Sequence, residues 1–246
     1  MRYLLECSYK GTAFHGWQIQ PNAITVQETI EKALSIILKK QIEIAGSSRT
    51  DTGVHAFQQF AHFDIDDVIE DVEKFAHSLN GLLPNEIAIK QISFVTNEFH
   101  SRFDATHRRY LYRIIQEKNP FWYEMAYFFR ATLDVDLMNK AGEILTQYVD
   151  FQCFSKVKTD VLTFDCKIEF AYWEYQEQFL LFHIKADRFL RGMVRAIVGT
   201  MIEVGAGRMQ LSDFEKVILS KSRNKAGRSV PPKGLTLMEV GYKLRI

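Results

Sequence analysis

Two rhythms alternate along this chain of 246 residues, and their order is what most constrains its fold. Apolar residues at every second position mark strands, and apolar residues three and four apart mark helices. "YLLECSY" reads as a first strand. "TVQETIEKALSIILKK" is a helix, with Thr25 and Glu28 forming a capping box and Val26, Ile30, Ala33, Leu34, Ile37 and Leu38 on one side. "QIEIAG" is a short strand. "AFQQFAHFDI" alternates, with Phe57, Gln59, Ala61, Phe63 and Ile65 on one face. "DVIEDVEKFAHSLN" has Val68, Val72, Phe75, Ala76 and Leu79 at helical spacing, and "EIAIKQISFV" is a strand.

The second half repeats this rhythm. "HRRYLYRIIQ" is a strand, and "DVDLMNKAGEILTQYV" a helix with Leu137, Ala141, Ile144, Leu145 and Tyr148 on one side. Two strands follow, around a turn near Gln176–Gln178. Helices are expected near Arg188–Val204 and Leu211–Leu219, and "GLTLMEVGYKL" closes the chain as a strand. Strand, helix, strand, strand, helix, strand, run twice, predicts an α+β fold of two ferredoxin-like halves with largely antiparallel sheets. The expected halves are residues 1–100 and 101–246.

Composition removes several function classes. Hydrophobic residues make up 47%, enough for a sizeable core. No run of 18 apolar residues offers a membrane span, and "MRYLLECSYK" is too short and polar for a signal peptide. Cys7, Cys153 and Cys166 stand far apart without a CxxC pair. They read as reduced cytoplasmic thiols, neither a disulfide frame nor a zinc site. With 31 basic and 30 acidic residues the net charge is +1, which argues against a bulk polyanion binder but hides local clusters.

Three such clusters stand out. In "HRRYLYRII" arginines stand beside tyrosines, a pairing that suits RNA, guanidinium for phosphate and ring for base. Read as a helix, "DRFLRGMVRAIVG" places Arg188, Arg191 and Arg195 on one face, with Gly192 and Gly199 close by. "SKSRNKAGRSVPPKG" is a basic loop. Each also reads as a solvated surface. The stretch "AGSSRTDTGVHA" sets Arg49 and Asp51 on a turn between two strands. Asp51 there either caps its own backbone or does chemistry, and spacing alone leaves both open.

That stretch resembles the signature of the TruA-type tRNA pseudouridine synthases. So do "FHGWQIQ", "SLNGLLP", "FHSRFDATHRRYLY", "MVRAIVGTMIEVG" and "PPKGLTLMEVGY", in the family's order from residue 14 to 242. Ser48, Val230 and Gly192 depart from the usual pattern. The resemblance implies an isomerase that converts uridine to pseudouridine at positions 38, 39 and 40 of the tRNA anticodon stem-loop. It implies no cofactor and no metal, a homodimer and a cytoplasmic setting, with the active site in the central cleft where the halves meet. It makes Asp51 the nucleophile, with Arg195 as its catalytic partner. Tyr110 is to pack on the target base, Leu237 to line the uracil pocket, and Arg49 to enter the RNA. Arg188 and Arg191 are to contact phosphates. His55 reads as structural. The alternative is a catalytically silent tRNA-binding or folding module on the same scaffold.

Overall fold

The structure is a computed structural model that describes residues 1–157 and 161–243. In chain order the first elements are β1 (Arg2–Tyr9), α1 (Val26–Leu38), β2 (Ala45–Gly46), β3 (His55–Asp64), α2 (Val72–Leu82) and β4 (Ile87–Val95). Then come β5 (Ala105–Ile115), β6 (Tyr127–Phe128), α3 (Val135–Leu145), β7 (Ile168–Gln176) and β8 (Phe179–Ala186). The last are α4 (Met193–Gly205), α5 (Leu211–Leu219) and β9 (Leu235–Tyr242). The expected final strand runs on to Leu244, which lies outside the described residues. Among the described residues the fold is mixed α/β, with five α-helices and strands that pair mostly antiparallel.

The chain divides into two compact units. One is Met1–Thr106 with the chain from Leu237 on; the other is His107–Thr236.

In the first unit β1 lies between β4 and β3, antiparallel to both, β2 pairs antiparallel with β3, and β9 also adjoins β3. Every second residue of β1 is buried, ending with Leu5, Cys7 and Tyr9. Helix α1 starts as its capping residue dictates: the Glu28 N–H donates to the Thr25 hydroxyl at 3.3 Å, and Val26, Ile30, Ala33 and Leu34 are buried. It stops at Lys39, which takes a left-handed φ of 53°. Helix α2 starts at Asp71, whose carboxylate accepts from the Lys74 N–H at 2.9 Å. That leaves Val68 outside the helix and exposed.

The alternation of β3 fails at one place. Gln59, Ala61 and Phe63 are buried, but Phe57 is 59% exposed. Cys7 pairs with Gln59 and Tyr9 with Ala56, so three residues of β3 span two of β1. This bulge flips the parity of the strand. Ala56 takes the core side and Phe57 turns to solvent, where the Lys90 ammonium sits 3.9 Å from its ring centre.

In the second unit β8 lies between β5 and β7, antiparallel to both, and the two-residue β6 runs parallel to β5. The β7–β8 turn is closed by Glu177 at φ 52°. Helix α3 packs on β7, where the Asn139 amide brackets Trp173, accepting from its N–H at 2.7 Å and donating to its carbonyl at 3.1 Å. Its buried face carries Met138, Ala141, Gly142 and Leu145, so Met138 takes the place expected of Leu137. Helix α4 starts at Met193, five residues later than expected, because Gly192 before it is left-handed at φ 72°.

Candidate active site

Asp51 lies in the first unit, on the turn between β2 and β3, half-buried, while Arg49 beside it is exposed. The turn closes on itself by a Val54 N–H to Asp51 carbonyl bond at 3.1 Å. Its other ties come from the loop after β1. The Trp17 N–H donates to the Thr50 carbonyl at 3.2 Å, and the Gly53 N–H to the Phe14 carbonyl at 3.3 Å. The Thr50 and Tyr9 hydroxyls are bonded at 2.8 Å. Gly16 lies so close to the turn that a Cβ on it would sit 2.5 Å from the Thr50 carbonyl oxygen, and its φ is 88°. Only glycine satisfies both conditions without strain.

Ser47 and Gln59 fix the approach to the turn. The Ser47 hydroxyl donates to the Gln59 carbonyl oxygen at 2.5 Å, and the Gln59 amide donates to the Ser48 carbonyl at 2.7 Å. Serine fits at position 48 because its backbone is outside the left-handed region. His55 is 1% exposed and its Nδ1 accepts from the Gly11 N–H at 3.0 Å. That is a bond holding the loop, as the structural reading expects. Leu237, on β9 in the same unit, is fully buried.

Tyr110 and Arg195 belong to the second unit. Tyr110 is on β5 opposite Ile184, 7% exposed, and meets the Phe189 ring edge-on with centroids 5.1 Å apart. Tyr112 shares its strand face but is fully buried, and its hydroxyl donates to the Pro231 carbonyl at 2.8 Å. Burial pushes the Tyr112 hydroxyl well above its usual pKa. The structure thus separates two tyrosines that alternation alone makes equivalent: Tyr112 secures the Pro231 segment.

Arg195 lies in the first turn of α4. Its Nε donates to the Val230 carbonyl at 2.8 Å, and the Val230 N–H donates back to the Arg195 carbonyl at 3.1 Å. The expected helical face of three arginines does not form. Arg188 and Arg191 precede the helix, Arg191 exposed and Arg188 half-buried. The Arg188 N–H is held by Asp187 Oδ1 at 2.7 Å, and the Arg191 carbonyl accepts from the Lys156 N–H at 2.9 Å. Gly192 has open space where a Cβ would stand, so its conformation requires glycine, not a close neighbour.

The basic loop is partly structural. The Arg223 guanidinium donates to the Gly227 carbonyl at 3.1 Å and the Ser229 hydroxyl at 2.9 Å. Lys221 pairs with Asp150 at 2.7 Å. Lys225 and Arg228 are exposed. Arg108, 8% exposed, donates from Nη1 to the Asp187 carbonyl at 3.0 Å, tying its strand to the Arg188 segment. Tyr9, Phe14 and Thr50, to which sequence reasoning gave no role, hold the turn through buried hydroxyls and backbone. Phe14 and Thr50 lie within motif segments, and Tyr9 ends the first strand. Among the described residues no group of three His, Cys, Asp or Glu side chains could hold a metal, and no helix is long and apolar enough to cross a membrane.

Comparison with known proteins agrees along the whole length. A family model described as tRNA pseudouridine synthase matches residues 7–104 and 148–243. The protein of Parabacteroides distasonis named tRNA pseudouridine synthase A is 48% identical over 241 residues, 98% of this chain and 96% of the relative. One of the same name from Bacteroides fragilis is 47% identical, covering 100% of this chain and 98% of the relative. Another, from the more distant Caldicellulosiruptor bescii, is 37% identical over 97% and 98%.

Proposed function

Since the chain belongs to the tRNA pseudouridine synthase family, we propose that it isomerises uridine to pseudouridine at positions 38, 39 and 40 of the tRNA anticodon stem-loop, with Asp51 as nucleophile. The enzyme is an isomerase. The bond from ribose C1′ to uracil N1 breaks, the ring turns, and C1′ bonds to C5. The C5 proton is lost and N1 gains one, so no redox partner enters the balance.

The observation that carries the assignment of Asp51 is the clamp on its turn. Backbone bonds from Trp17 and Gly53, the Tyr9–Thr50 hydroxyl pair and the close approach of Gly16 hold a half-buried carboxylate in one place. A nucleophile works from a fixed position. Arg195 is its proposed catalytic partner, tethered by Val230 so that its side chain is oriented before substrate arrives. Tyr110 is proposed to pack on the target base and Leu237 to supply an apolar wall of the uracil pocket. Arg49, exposed beside Asp51, is proposed to enter the RNA where the uridine leaves its stack. Extruding a stacked nucleotide costs a few kcal/mol, which phosphate contacts by Arg188 and Arg191 would offset. The enzyme is further proposed to work as a cytoplasmic homodimer.

The ferredoxin-like reading of each unit has its own support. In the first, β1, α1, β2, β3, α2 and β4 give the spatial order β4–β1–β3–β2. In the second, β8 likewise lies between β5 and β7.

The test is Asp51→Asn on an unmodified tRNA transcript, with pseudouridine mapped by position. The expected result is wild-type tRNA affinity with turnover reduced more than about a thousandfold. Normal turnover in that variant removes Asp51 as nucleophile, and modification elsewhere in the tRNA overturns the site assignment.

A further inference from the structure

The second unit contains a cleft of about 480 Å³ whose lining includes Arg195 but neither Asp51 nor Tyr110. We propose that it binds a nucleotide of the RNA other than the reacting uridine, its base on Tyr127 and Phe129 and its phosphate on Arg228. This rests on the RNA-modifying activity proposed above. Tyr110, the tyrosine assigned to the reacting base, is not among the lining residues.

Size and chemistry agree with such a ligand. The volume falls within the range of small-molecule sites, about 300–1,000 Å³. The rings of Tyr127 and Phe129 stand 5.8 Å apart at 48° to one another, so a base stacked on one meets the other at its edge. Ile202, Val230 and Pro231 supply apolar surface, and the Arg195 side chain forms part of the wall. Stacking of this kind accepts any base, and the guanidinium supplies the anion contact.

The phosphate end is fixed in advance. A Cβ at Gly199 of α4 would lie 1.9 Å from the Arg228 carbonyl oxygen, so the backbone of Arg228 rests directly on the helix. The Gly227 N–H donates to the Thr200 hydroxyl at 2.9 Å, which donates to the Ala196 carbonyl at 2.7 Å. Arg223 spends its charge on the loop's own carbonyls, whereas the Arg228 side chain is exposed. One acid lines the cleft, Glu203, and Arg208 holds both its oxygens, at 2.6 and 2.9 Å. That bidentate pair keeps the carboxylate neutralised where it would otherwise repel phosphate.

The experiment measures unmodified tRNA binding at several salt concentrations for wild type, Arg228→Ala, Tyr127→Ala, Tyr127→Phe and Lys140→Ala, with wild-type pseudouridine formation recorded alongside. Lys140 is an exposed cation on α3, outside the cleft. The expected result is a dissociation constant raised about five- to tenfold in both alanine cleft variants. Arg228→Ala should also flatten the dependence of log affinity on log salt by about one unit, and Tyr127→Ala should not. Tyr127→Phe, which keeps the ring, and Lys140→Ala should bind like wild type. Unchanged affinity for Arg228→Ala and Tyr127→Ala in a preparation that makes pseudouridine overturns the subsite alone. So does unchanged affinity with an altered particle mass on sedimentation, which would make the cleft a contact between copies. A wild type that makes no pseudouridine removes the activity and the subsite together.

Discussion

His62, one of two buried histidines in the first unit, should make that unit's stability sensitive to acid. His62 on β3 is 7% exposed, and its Nδ1 accepts from the Ser101 N–H at 3.2 Å. The Ser101 hydroxyl is turned toward the Ala45 carbonyl, at 2.5 Å, so it has no second proton for the ring. Burial, then the neighbouring charges of Arg2 and His100 against the opposing pull of Asp64, lower the His62 pKa from 6.5 to about 4. A base whose pKa falls on folding stabilises the fold above its unfolded pKa. That stability is lost as pH drops from 6.5 toward 4, because the unfolded chain binds the extra proton. The unfolding free energy should therefore fall by about 2 kcal/mol between pH 7 and pH 5. Urea titrations at the two pH values would show it, and a fall of the same size in His62→Gln would acquit the histidine. Residue identity singled out Asp51, Arg49 and Tyr110 through their motif neighbours. It could not show that Tyr112 is committed to Pro231 while Tyr110 faces Phe189, since both have the same strand parity. Nor could it show why serine is tolerated at 48, which depends on a backbone angle.

At the scale of elements, periodicity and the Thr25 capping box placed most helices and strands, because both act within a few residues of chain, though α2 begins at Asp71 and not at Asp67. Thr25 opens α1, Asp71 opens α2 and Asp134 opens α3, each by a side-chain bond to the N–H three residues on. The failures come from events that are not periodic. A left-handed Gly192 delays α4, so that arginines spaced for one helical face occupy different local structures. A bulge against β1 turns Phe57 out while Phe63, six residues on and on the face expected for both, stays in the core at 1% exposure. The two phenylalanines should then respond oppositely to truncation. Phe63→Ala should cost about 3–5 kcal/mol of unfolding free energy through lost burial and a cavity. Phe57→Ala should change it by less than about 0.5 kcal/mol. Comparable losses in denaturant midpoints would mean that the two residues share the core and that the bulge is absent in solution.

Over the whole molecule, a net charge of +1 conceals an uneven division. The first unit holds 11 of the 31 Lys and Arg residues against 15 acids, and the second 20 against 15, for net charges of −4 and +5. The chain from Leu237 on rejoins the first unit, and no local pattern announces a segment that rejoins residues more than a hundred positions away. A polyanion is drawn to the second unit by its field and repelled by the first. Arg188 and Arg191 lie in that second unit with their backbones pinned by Asp187 and by the Lys156 N–H, so their side chains start from fixed points. If each meets a phosphate, replacing both with alanine removes two released counterions. The slope of log affinity for tRNA against log salt should then become shallower by about 1.8. Affinity near physiological salt should fall about tenfold or more, equally for different tRNA sequences, because phosphates carry no sequence information. The measurement is a salt series of binding isotherms on two unrelated tRNA transcripts. An unchanged slope would return the arginines to the status of solvated surface charge, and a loss confined to one transcript would mean that they read bases.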